Sequence, residues 1–101
     1  MPGSHPDSRP TFYLLEYSWR TEDELRVQNA YAAHRSHLDA LGTGGGLWLI
    51  GTLEASDGTD VVAIFRDRTA AEEFVATDPL FTNELATSRP IREWQPLQYD
   101  A

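Results

Sequence analysis

The chain has 101 residues, enough for one domain around one modest hydrophobic core. It holds no cysteine, which excludes disulfides and a thiolate nucleophile, and no run of about 18 apolar residues that could span a bilayer. The net charge is −8, and the eight basic residues, all arginine, are scattered among acids, so neither nucleic acid nor a membrane is an expected partner.

Residues 1–10, MPGSHPDSRP, lack any periodic apolar pattern and read as a flexible tail, leaving 11–101 as the domain. No apolar signal core precedes that domain, so the expected compartment is the cytoplasm. TFYLLEYSW predicts a buried strand. RTEDELRVQNAYAAHRSHLDAL predicts a helix, with Thr21 and Glu24 matching a capping box and Gly42 closing it in a left-handed conformation. LWLIGTL and VVAIF predict two further strands, joined as a hairpin by a turn at Asp57-Gly58. TAAEEFVATD predicts a second helix with a second capping-box pattern at Thr69 and Glu72. Asp78-Pro79 interrupts it, and LFTNELA reads as a further short helical piece. PIREWQPL predicts the last strand, with Pro96 marking an edge or an end.

The order β-α-β-β-α-β is that of an α+β, ferredoxin-like domain: an antiparallel sheet with two helices on one face. The first strand is apolar on both alternations, Tyr13, Leu15, Tyr17 and Trp19 against Phe12 and Leu14. Two helices cover one face only, so the other needs a second cover. The expected cover is a second copy, giving a homodimer packed sheet to sheet as a dimeric α/β barrel.

At 100° per residue, Val27, Tyr31, His34, Leu38 and Leu41 fall on one stripe of the first helix. A histidine near the centre of an apolar stripe needs partners for its ring nitrogens. It is either a satisfied core residue or a general acid/base beside a pocket, tuned by burial or a carboxylate. Asp78 has two compatible roles as well: N-cap of a helix with Pro79 at its first position, or partner of a histidine.

The segment from His34 to Gly51 resembles the YCII-like family, whose pattern falls without a gap on His34, Leu38, Leu41, Gly45, Leu47 and Gly51. AEEFVATDPLF supplies the family's alanine-containing helix ending in Asp-Pro, and IREW its final strand. The likeness spans Thr11 to Leu97. Three positions depart from it: Tyr31 stands where an arginine is common, Thr52 where a proline is, and Leu80 where an aromatic follows Asp-Pro. The resemblance implies a His-Asp dyad, carried over to His34 and Asp78, and cofactor-free chemistry of lyase or isomerase type on a small aromatic or phenolic molecule. Relatives include an enzyme that eliminates chloride from a chlorinated hydroxyquinol.

Tyr17 and Tyr31 are candidates for lining a substrate pocket, with His37 at its flank. His34 and His37, at i and i+3, could share a metal, but no third ligand is placed for them, so no metal is expected. GTGGG follows a helix and precedes a strand, the reverse of a phosphate loop, and serves as a helix stop. Ser18, Ser36 and Ser88 sit in no nucleophile-elbow pattern. Two other readings stand beside the acid–base enzyme: a non-catalytic small-molecule binder or accessory protein, and a cofactor-independent monooxygenase.

Overall fold

The long aromatic-aliphatic run near the start of the domain becomes β1 (Phe12–Trp19), the central strand of an antiparallel sheet in a computed structural model of the chain. The structure describes residues 10–99. Residues 1–9, which carry most of the expected tail together with His5, and residues 100–101 lie outside it. A short 3-10 turn (Thr21–Asp23) leads into α1 (Glu24–Thr43), followed by β2 (Leu47–Leu53) and β3 (Thr59–Phe65). Then come α2 (Arg68–Thr77), the one-turn α3 (Pro79–Thr82), β4 (Thr87–Ser88) and β5 (Arg92–Trp94). The sheet order is β2-β3-β1-β4, with β5 also on β1, and every pairing is antiparallel. This is the ferredoxin-like arrangement expected from the element order.

Alternation along β1 divides its side chains. Tyr13, Leu15, Tyr17 and Trp19 face the helices with their β3 partners Phe65, Ala63 and Val61, and the core forms there around Phe74, Leu80 and Val27. Phe12 and Leu14 face the other way with Ile64, and on β2 Leu49, opposite Ile64, and Leu53, opposite Asp60, share that face. On that outer face Phe12 stacks on Trp48 at 4.6 Å and lies 6.5 Å from Trp94. Leu49 and Leu53 are each 51% exposed, and among the described residues no element covers this apolar patch of the outer face.

Several local expectations need correction. Neither capping box forms. The Thr21 hydroxyl donates instead to Asp57 at 2.8 Å, and Glu24 accepts from the Trp19 indole, so both are held by tertiary partners. The second helix is capped by Asp67, which accepts from the Ala70 N–H at 2.7 Å, and Thr69 lies inside its first turn. Gly42 remains helical, and the left-handed residue is Gly45, φ +84°. The last strand is two short pieces, because Pro90, which has no N–H to give the ladder, lies between β4 and β5.

Gly58 carries the hairpin turn at φ +89°, and a Cβ there would meet the Trp19 carbonyl oxygen at 2.0 Å. Backbone cannot yield as a side-chain tip can. Gly58→Ala is therefore expected to destabilise the domain by at least about 1–3 kcal/mol, read as a drop in thermal midpoint.

Candidate active site

Asp78 is placed by its neighbours in sequence. Pro79 disfavours helix in the residue before it, so Asp78 is extended (φ −67°, ψ 137°) and α2 ends there. Its N–H closes α2 on the Phe74 carbonyl at 3.0 Å, and its Oδ1 caps α3 by accepting from the Leu80 N–H at 2.9 Å. The side chain is fully buried.

His34, 5% exposed, faces this carboxylate from α1. Its Nδ1 lies 2.9 Å from Oδ1 and 2.8 Å from Oδ2 of Asp78. A carboxylate only accepts, so Nδ1 must donate and Nε2 of the neutral ring is left as the lone-pair nitrogen. Capping and pairing coexist at Asp78. Burial alone would raise its carboxyl. The hydrogen bonds from His34, the Leu80 N–H and His37, with the charge of His34, outweigh burial and hold it below the usual carboxylate range.

Beside His34 a cleft of about 640 Å³ opens between α1 and the helix-facing side of the sheet. Tyr31, His34 and Leu38 line it from α1, and Tyr17, Ile50 and Val61 from the sheet. Nε2 of His34 and the Tyr17 hydroxyl make no hydrogen bond among the described residues. Both residues line the cleft. Tyr17 is 2% exposed, and burial first, then the Asp78 charge, push its phenol well above the ordinary value, so it enters the cleft as a neutral donor. Tyr31, half exposed, stands at the rim edge-on to His34 at 6.2 Å.

His37 does not line the cleft. It stacks on Phe74 at 5.9 Å and points Nδ1 at Asp78 Oδ2, 3.1 Å away, while its Nε2 lies 3.0 Å from the Thr77 hydroxyl. Phe74, fully buried, is thus a platform for both imidazoles, 6.1 Å from His34. Phe74 and Thr77 were not singled out from the sequence, although Thr77 adjoins Asp78 and the i, i+3 spacing of the two histidines allows one shared partner. Among the described residues no group of three or more His, Cys, Asp or Glu is gathered to hold a metal ion, and no helix is long and apolar enough to cross a membrane.

The model of the YCII-related domain family matches residues 11–95. No curated protein matches the chain. Among solved structures, a point variant of SnoaB, a cofactor-independent oxygenase from Streptomyces nogalater, superposes with a TM-score of 0.54 at 13% identity, over 88% of this chain and 95% of that one. A second structure of SnoaB gives 0.50 at 15% identity, over 90% and 96%. At these identities the likeness is one of fold.

Proposed function

Because the chain belongs to the YCII-related domain family, we propose that it is a cofactor-independent enzyme that moves protons on a small molecule bound in the cleft. His34 Nε2 is the acid/base, and Asp78 fixes its tautomer and strengthens it by stabilising the imidazolium that forms. One observation carries this reading: a fully buried carboxylate with both oxygens within 2.9 Å of the Nδ1 of a histidine that lines a cleft. The Tyr17 hydroxyl stands in the same cleft as a neutral donor for an oxygen that gains negative charge. The walls are largely apolar and aromatic, and the charged pair Arg35–Asp39 on α1 is already matched within itself, a lining that suits a phenol or an enolisable ring.

Proton removal from such a substrate serves two ends. In the lyase or isomerase reading the anion expels a leaving group or is reprotonated elsewhere. In the oxygenase reading the same electron-rich anion reacts with dioxygen, a reading favoured by the fold shared with SnoaB. A panel of chlorinated dihydroxybenzenes and enolisable cyclic ketones in deuterated water tests the proposal. Deuterium entering at carbon, or chloride release, marks the first outcome. Oxygen uptake marks the second. Saturable binding with neither leaves a binding protein and contradicts the enzyme.

A second copy of the chain is the proposed cover for the outer sheet face, supported by the exposed Leu49 and Leu53 beside Phe12 and Trp48. Sedimentation is expected to show a dimer, and Leu49→Arg, which sets a charge in that interface, a monomer. A monomeric wild-type protein would contradict this assembly.

A further inference from the structure

We propose that His37 is a positioning residue for His34, acting through the carboxylate they share, and that the Thr77 hydroxyl makes this contact depend on a proton. The inference rests on the acid–base reading of His34. It follows from counting hydrogens.

Asp78 only accepts, so His37 Nδ1 donates to Oδ2 across 3.1 Å. On the far side of the ring, Nε2 meets Thr77 Oγ1 at 3.0 Å, and the same Oγ1 lies 2.7 Å from the Glu73 carbonyl. The hydroxyl has one hydrogen. When it points to Glu73, Nε2 must be the donor, both ring nitrogens carry hydrogen, and His37 is an imidazolium. When it turns to Nε2, His37 is neutral. Both networks are closed, and they differ by one proton and one hydroxyl rotation.

Each state treats His34 differently. An imidazolium on Oδ2 draws the carboxylate charge to itself, so Asp78 stabilises a protonated His34 less and Nε2 is the weaker base. A neutral His37 leaves that charge to His34, and Nε2 is the stronger base. His37 lies off the cleft, so its effect reaches His34 through Asp78. Among the described residues the other elements present nothing charged to the carboxylate: β1 offers the neutral Tyr17 phenol, and α3 the Leu80 N–H.

The test is an NMR titration of the His34 and His37 rings in the full chain, in wild type, His37→Gln and Thr77→Val. Glutamine keeps a donor toward Asp78 without titrating, and Thr77 is exposed, so neither change empties the core. Wild-type His34 is expected to report two steps, its own and that of His37. His37→Gln reduces them to one. Thr77→Val moves the His37 step to lower pH, because its protonated Nε2 loses an acceptor. A single His34 step in wild type, unchanged in both variants, would overturn the proposal and leave His37 as packing on Phe74. Asp78→Asn separates the two failures. If it moves His34 while His37→Gln does not, only the positioning role falls. If His34 ignores Asp78→Asn, the dyad falls as well.

Discussion

His34→Gln is expected to lower turnover on an active probe by about 10²–10⁴-fold, the usual contribution of a positioned acid/base, while leaving the affinity for that probe nearly unchanged. The reasoning is geometric. Glutamine fills similar space and its amide can still donate toward Asp78, so the wall of the cleft survives. What disappears is the lone pair at the Nε2 position, the only part of the ring the cleft uses as a base. Steady-state kinetics with a separate binding titration read the two quantities apart. Loss of affinity with turnover intact would assign His34 to binding.

Asp78→Asn is expected to cost stability through lost charge. Asparagine can still accept from the Leu80 N–H, so the α3 cap persists, but the charge that two imidazoles share is gone. Hydrogen bonds to a buried charged acceptor put the loss at about 1.5–3 kcal/mol near neutral pH. The sign of its pH dependence follows from the lowered carboxyl. The unfolded chain takes up this proton near its ordinary value of about 3.9, and the folded chain only at lower pH. The stabilisation is therefore present above about pH 4–5 and is lost as pH falls through the folded-state value. Denaturant unfolding at neutral pH and at about pH 3 is expected to show the gap between wild type and Asp78→Asn closing in acid. A gap independent of pH would mean that the carboxylate charge contributes nothing to the fold.

Much of the architecture was legible because it rests on periodicity. Apolar alternation on both faces of β1 indicated an exposed sheet face, and the stripe from Val27 to Leu41 put His34 against the core side of α1. Caps were less legible because they are competitions. Thr21 and Glu24 match a local pattern, but Asp57 and the Trp19 indole hold them instead, and nothing near them in sequence announces either partner. The His34–Asp78 contact spans 44 positions and came from family likeness, since no helical periodicity links the two residues. Pro79 does leave a local sign, because it forces the extended residue from which Asp78 can cap one helix and reach another. The i, i+3 spacing from His34 predicts His37 at the flank of the pocket. One turn of helix places it instead on the far side of the same carboxylate, a distinction a stripe diagram does not resolve.

The central claim is that Asp78 holds His34 with its hydrogen on Nδ1 and leaves Nε2 bare toward the cleft. Long-range ¹H–¹⁵N NMR of the neutral imidazole measures this directly, because the two tautomers give opposite assignments of protonated and bare nitrogens. The account predicts the Nδ1–H form for His34 in wild type, and loss of its proton at lower pH in Asp78→Asn than in wild type. An Nε2–H tautomer that ignores Asp78→Asn would contradict it, leaving Asp78 as a helix cap and His34 as a core residue.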